Sequence, residues 1–171
     1  MKKVILFVLL SILFSSCDQK IEVFKCKTNE DMFKDHYNII VLEKDVDSST
    51  FTCLGGGYAK DKKRVYFVPD YYVEKVDPQT FEVIETMYGK DKRNVYYMKA
   101  KIKEADLQTF KTMDFPYSRD KNNVYSGRIK IKEADLNTFI SYYGNQTLEG
   151  INYNAEDKNS YYKDGEVVKK K

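Results

Sequence analysis

Asp120-Lys121-Asn122-Asn123-Val124-Tyr125-Ser126-Gly127-Arg128-Ile129-Lys130-Ile131-Lys132 is the stretch on which the fold turns. Its first four residues have turn chemistry, because Asp and Asn side chains bond nearby backbone and tolerate the left-handed region. Val-Tyr then favours extended backbone. Ser126-Gly127 marks a second turn, after which Arg128 to Lys132 alternates basic and apolar residues. Period two puts Ile129 and Ile131 on one face and the basic residues on the other. The stretch therefore reads as two short antiparallel strands joined by a tight connection.

The stretch recurs. Asp61-Lys62-Lys63-Arg64-Val65-Tyr66 and Asp91-Lys92-Arg93-Asn94-Val95-Tyr96 precede it, beginning 30 and then 29 residues apart, and Asp157-Lys158-Asn159-Ser160-Tyr161-Tyr162 follows it. A Tyr stands three residues before each of the first three copies (Tyr58, Tyr88, Tyr117); before the last copy Tyr153 stands four residues away. A second block reads Asp77-Pro78-Gln79-Thr80-Phe81, Asp106-Leu107-Gln108-Thr109-Phe110 and Asp135-Leu136-Asn137-Thr138-Phe139, again 29 residues apart. Its Asp caps a corner, Pro78 presets the backbone there, and the Phe reaches inward. Asp47-Ser48-Ser49-Thr50-Phe51 is an earlier copy, so residues 31 to 51 read as a divergent first unit with His36 in the place of Tyr66.

A fixed period of this length signals an array in which one unit cannot bury its own apolar face and neighbours complete the core. The expected fold is all-β: tandem units of about 29 residues, each of short antiparallel strands and hairpins, forming a β-meander solenoid or a partial propeller. The expected boundaries are a leader at 1–16, an anchor and linker at 17–30, one repeat domain at 31–168 and a basic tail at 169–171. Within the domain the units fall at 31–57, 58–87, 88–116 and 117–152, with a partial copy at 153–168. Asp61, Asp77, Asp91, Asp106, Asp120, Asp135 and Asp157 are expected to fix turns and corners. Tyr66, Tyr96, Tyr125 and Tyr161, with Phe81, Phe110 and Phe139, are expected to form the core. Gly55-Gly56-Gly57 reads as a flexible joint between the first two units, Asp164-Gly165 as a type I′ hairpin turn, and Lys169-Lys170-Lys171 as a solvated, frayed end.

These repeats resemble the DKNYY family, named for tandem Asp-Lys-Asn-x-Tyr-Tyr motifs. Asp91 to Tyr97, Asp120 to Tyr125 and Asp157 to Tyr162 carry the likeness over roughly residues 55 to 168, together with the Asp-x-x-Thr-Phe block after each complete copy. The resemblance implies a bacterial, often exported protein and brings no catalytic residues with it.

Composition agrees with a folded β chain. The 171 residues are 42% hydrophobic and 15% aromatic, with 15 Tyr, 10 Phe and no Trp, a choice that favours strands and excludes a disordered chain. There are 29 basic and 26 acidic residues. Removing the two leader lysines leaves a near-neutral mature part, which gives no electrostatic basis for binding nucleic acid.

Lys2-Lys3 followed by the apolar run Val4 to Phe14 fits a secretory leader; 11 residues are too few to span a bilayer, which takes about 20. Leu13-Phe14-Ser15-Ser16-Cys17 resembles a lipobox, making Cys17 the expected lipidation site and the membrane an expected partner. The alternative is an ordinary leader with a coincidental Cys. Neither membrane leaflet is assigned. An oxidising compartment would allow Cys26 and Cys53 to pair; two buried free thiols are the other reading.

No catalytic set emerges. His36 is the one histidine and has no Ser or Asp arranged around it as a triad. Gly55-Gly56-Gly57 lacks the Gly-Lys-Ser/Thr of a phosphate loop. Asp120-Lys121-Asn122 begins like a calcium loop but has Ile131 where the twelfth position needs Glu. No metal or cofactor is expected. The functional expectation is a non-catalytic envelope lipoprotein whose repeat surface binds a partner protein. Alternatives are an immunity-type lipoprotein neutralising a toxin, or a module binding glycan or peptidoglycan through exposed Tyr.

Overall fold

The computed structural model describes residues 46–67 and 72–171 in full, with the backbone alone of Glu22–Cys26, Asn38–Leu42 and Tyr71. The leader, Cys17, Asp31, His36 and the side chain of Cys26 lie outside the described residues.

Four sheets of four strands follow one another along the chain, each a meander in which neighbours in sequence pair antiparallel. The first contains β3 (Thr52–Gly55), β4 (Tyr58–Lys60), β5 (Val65–Phe67) and β6 (Tyr71–Tyr72). The second contains β7 (Glu82–Glu85), β8 (Tyr88–Lys90), β9 (Val95–Tyr97) and β10 (Ala100–Lys101). The third contains β11 (Lys111–Thr112), β12 (Tyr117–Arg119), β13 (Val124–Ser126) and β14 (Ile129–Lys130). The fourth contains β15 (Ile140–Leu148), β16 (Ile151–Glu156), β17 (Ser160–Lys163) and β18 (Glu166–Lys170). Ahead of them β1 (Glu22–Cys26) pairs with β2 (Asn38–Leu42), so a strand stands where a linker was expected. The sheets are open and none closes into a barrel. The fold is thus the all-β tandem array that the repeats predict.

The sheets are offset from the expected units. Each corner block and the strand after it belong to the following sheet, so the sheets span 52–72, 82–101, 111–130 and 140–170. The copy expected to be partial is complete, its first two strands lying in residues 140–156.

Adjacent strand residues point to opposite faces, yet Val65 and Tyr66 are both buried, as are Val95 with Tyr96 and Val124 with Tyr125. Each of these sheets is therefore covered on both sides. Tyr58, Val65, Val73 and Phe81 cluster with Tyr96 of the second sheet, and Tyr88, Val95 and Ile102 with Tyr125 of the third. Tyr117, Val124, Ile131 and Phe139 cluster with Ala155 and Tyr162 of the fourth. The apolar core is continuous from sheet to sheet, which is how an array of individually unstable units holds together.

The corner Phe is the wedge between sheets. Phe81 lies 5.0 Å from the Tyr58 ring and 6.2 Å from the Tyr96 ring. Phe110 lies between Tyr88 and Tyr125, and Phe139 between Tyr117 and Tyr162. Room for the wedge comes from a small residue: a Cβ on Gly89 would lie 2.3 Å from the Phe81 ring. Ala59, Ser118 and Ala155 hold the same place in the other sheets, all buried.

Three local expectations are corrected. Gly55-Gly56-Gly57 is no joint between units; it forms the tight β3–β4 turn inside the first sheet. Gly56 sits at φ +57°, and a Cβ there would meet Val83 of the second sheet at 2.8 Å, so the position needs glycine. Lys169-Lys170-Lys171 is no frayed tail. Lys169 and Lys170 belong to β18, and the three ammonium groups pair with Glu149, Glu133 and Glu156. In the last copy the residue equivalent to Tyr66 is Tyr162, not Tyr161, because Tyr162 pairs with Ala155 as Tyr66 pairs with Ala59.

Candidate functional site

The recurring carboxylates are the first candidates for chemistry. Asp61, Asp91, Asp120 and Asp157 are all buried. One oxygen of Asp91 accepts the backbone N–H groups of Arg93 and Asn94, each at 2.8 Å. The other accepts the N–H of Asp77 at 2.9 Å and the Tyr96 hydroxyl at 3.0 Å. The same four bonds recur at Asp61, at Asp120 and at Asp157. Burial pushes these carboxyls up, but the donated hydrogen bonds outweigh it and hold each below the ordinary Asp value. A carboxylate with four donors has no lone pair left for a substrate or a metal.

The corner carboxylates are equally engaged. Thr80 Oγ1 accepts the Lys92 backbone N–H, and the Lys92 ammonium lies 2.8 Å from Asp77. Asp47, Asp106 and Asp135 make the same ion pair with Lys62, Lys121 and Lys158. These exposed pairs lower the carboxyl pKa while adding little stability in water. Corner and turn thus lock together as a latch, one per sheet. Among the described residues no group of three or more His, Cys, Asp or Glu is placed to hold a metal ion.

The repeat tyrosines are interior. Tyr58, Tyr88, Tyr96, Tyr117, Tyr125 and Tyr162 are fully buried, so these six offer no stacking platform for a sugar. Desolvation pushes Tyr96 and Tyr117 up to about 12. Tyr58 donates forward to the Met87 and Met98 carbonyls of the next sheet at 2.8 and 3.0 Å, and Tyr88 donates to Pro116 at 2.8 Å. Tyr161 lies half-buried on the opposite face of β17. Cys53 is disulfide-bonded; Cys26, its expected partner, has no described side chain.

What remains is the rim opposite the latches. Strands in a meander turn at alternate ends, so the β5–β6, β9–β10, β13–β14 and β17–β18 turns share one rim with the β3–β4, β7–β8 and β11–β12 turns. There the repeat breaks down. Phe115-Pro116 stands where the earlier sheets have Gly56-Gly57 and Thr86-Met87. Tyr97, Phe115, Pro116, Gly127, Arg128 and Ile129 line an open groove of about 440 Å³. Arg128 makes no ion pair among the described residues.

The fourth sheet adds an insertion. Asp120 and Asp157 are 37 residues apart, and the extra length lies in the β15–β16 hairpin. Tyr142 to Asn145 loop out opposite Asn154 in a large bulge. Ser141 ties the hairpin to the groove by accepting the Asp114 N–H at 3.1 Å and donating to the Asp114 carboxylate at 3.0 Å. Phe115, Ile129, Ile140 and Tyr143 are 51%, 68%, 53% and 91% exposed, and they are the large hydrophobics more than half exposed among the described residues. All four belong to the third and fourth sheets or to the turns between them. In the sequence Ile129 reads as sharing an apolar face with Ile131, and Phe115, Ile140 and Tyr143 carry no signal because none recurs.

Residues 3–100 and 88–171 match the DKNYY family. No curated protein and no solved structure matches the chain. The carboxylates repeated from sheet to sheet are structural. With the latch, the buried Tyr and the corner Phe repeated in every sheet, and the family match running over nearly the whole length, the chain belongs to the DKNYY family.

Proposed function

We propose that this DKNYY protein is a lipid-anchored, non-catalytic module of the bacterial cell envelope that binds a partner protein through the rim of its third and fourth sheets. The observation that carries the reading is that Phe115 and Ile129, both more than half exposed, line one groove where the repeat departs from itself. Aromatic and Arg side chains set in a concave surface are the usual energetic centres of protein interfaces, and Tyr97, Phe115 and Arg128 meet that description. In repeat folds, insertions map to the binding face, and the β15–β16 hairpin is such an insertion.

Envelope extracts passed over immobilised wild-type protein are expected to yield a partner that the Phe115→Ser/Ile129→Ser variant holds about tenfold or more weakly, equivalent to ~1.4 kcal/mol. Equal recovery by both proteins would remove the rim from consideration. The anchor is tested separately. Cys17→Ala is expected to abolish incorporation of labelled fatty acid and to move the protein wholly from membranes to the soluble fraction, since the acyl chains supply the hold. Continued labelling of the variant would place the lipid elsewhere.

A further inference from the structure

The fourth sheet differs from the other three on one face. β5, β9 and β13 have adjacent residues buried, whereas β17 alternates: Ser160 and Tyr162 are buried, Tyr161 and Lys163 only partly. Register identifies the two faces. Ala155 and Tyr162 share the face that packs on Tyr117, Val124 and Phe139 of the third sheet. The other face corresponds to the one that, in the first sheet, presents Tyr58, Val65 and Phe67 to its successor. At the same three places the second sheet has Tyr88, Val95 and Tyr97 and the third has Tyr117, Val124 and Ser126; the fourth has Asn154, Tyr161 and Lys163.

The chemistry of these replacements is uniform. Tyr58 and Tyr88 reach forward for carbonyls of a following sheet. Asn154 reaches no further sheet; it bonds the Asp164 turn and, backward, Tyr117 of the third sheet. Its oxygen accepts the Tyr117 hydroxyl at 2.6 Å and the Asp164 N–H at 2.9 Å, and its nitrogen donates to the Asp164 carboxylate at 2.7 Å. Tyr161 and Tyr153 meet edge-on with ring centroids 4.8 Å apart, and the Lys171 ammonium lies 4.5 Å above the Tyr161 ring. Lys163 bonds Asn145, and Glu156 bonds both Tyr142 and Lys171. A face that in the first two sheets offers apolar groups and a forward-pointing hydroxyl is here crossed by polar and charged groups bonded to one another, with Ile140, paired to Glu156, as the exposed apolar residue beside them.

We infer that the fourth sheet is a terminator: its outer face is built so that neither a further repeat unit nor a unit from a second copy of this chain stacks on it. Repeat arrays need a polar outer face at their ends to stay soluble, and here that property lies in three positions rather than in where the chain stops. Whatever follows Lys171 meets a closed surface. The array therefore ends at this face. The inference stands independently of the partner-binding reading.

Sedimentation of the mature chain, carrying Cys17→Ser, tests it. The wild type is expected to be monomeric. Tyr161→Val/Lys163→Phe, which restores internal-sheet residues while leaving Asn154 in place, is expected to self-associate at least about tenfold more tightly. Lys103→Val/Lys132→Phe adds similar apolar surface at exposed side positions and is expected to stay monomeric. Near-UV circular dichroism reports whether the tyrosines remain packed. If the double variant fails to fold, Lys163→Phe alone gives the comparison. A folded variant that stays monomeric overturns the inference. So does a control pair that associates as strongly, or a wild type that associates until Tyr161→Lys separates it.

Discussion

Asp91→Ala is expected to lower the stability of the chain by about 4 kcal/mol, because it strips the acceptor from three backbone N–H groups and one hydroxyl in a site closed to water. Arg93, Asn94 and Asp77 lose their partner outright, while Tyr96 keeps its second acceptor, the Lys75 carbonyl at 3.1 Å. Asp91→Asn separates acceptor loss from cavity formation. Its oxygen still serves the turn, but its NH2 group faces the Asp77 N–H, donor against donor, so a loss of about 2 kcal/mol is expected. Urea midpoints check both values. Asp77→Ala, at an exposed corner, is expected to shift the midpoint far less. If Asp91→Ala and Asp77→Ala prove equally mild, the latch does not stabilise the sheet.

The latch also sets the response to acid. All four interior carboxyls titrate below the ordinary value of 3.8 in the folded chain. The unfolded chain therefore takes up protons first as pH falls. The stability these groups contribute is fully present above the ordinary value and is lost as pH falls through the folded value. The urea midpoint is expected to be flat from neutrality down to about pH 5 and to fall steeply below about pH 4. In Asp91→Asn the fall is expected to be shallower, since one titrating group is gone.

Phe81→Ala is expected to cost about 4 kcal/mol, in the range of a buried aromatic truncated where the surroundings cannot collapse. The wedge lies between Tyr58 and Tyr96, which belong to different sheets, so the loss falls on the coupling between units. Amide exchange is expected to quicken in the first and second sheets and to change little in the fourth. A uniform change along the chain would mean that the array unfolds as one body and the wedge has no local role. Gly89→Ala attacks the same contact from the other side, by filling the space the Phe81 ring occupies.

Much of this architecture is legible in the sequence because the latch is written four times in residues with strong local preferences. Asp-Lys-x-Asn forms turns and Val-Tyr forms strands whatever surrounds them. The sheet boundaries were not legible, since a period has no origin: cutting the chain before Tyr88 or before Glu82 gives equally regular units. Tyr161 was chosen over Tyr162 because two adjacent tyrosines differ only in which face each points to, and pairing with Ala155 decides that. The lysines at the end look like a solvated run until Glu133, Glu149 and Glu156, distant in sequence, are brought beside them. The exposed rim was invisible for a related reason. Ile129 reads as a core residue beside Ile131, and its exposure, like that of Phe115, depends on what neighbouring turns leave uncovered.

The placement of the latches at one end of the strands has a consequence for how such a protein changes over time. Everything that fastens a sheet to its corner sits at that end; the turns at the other end take part through their backbone, the Met87, Met98 and Pro116 carbonyls accepting from Tyr58 and Tyr88. Substitutions at exposed side chains there, such as Phe115, Arg128 and Ile129, can therefore accumulate without melting the scaffold, and a library randomised at them should yield folded members that differ in what they recognise.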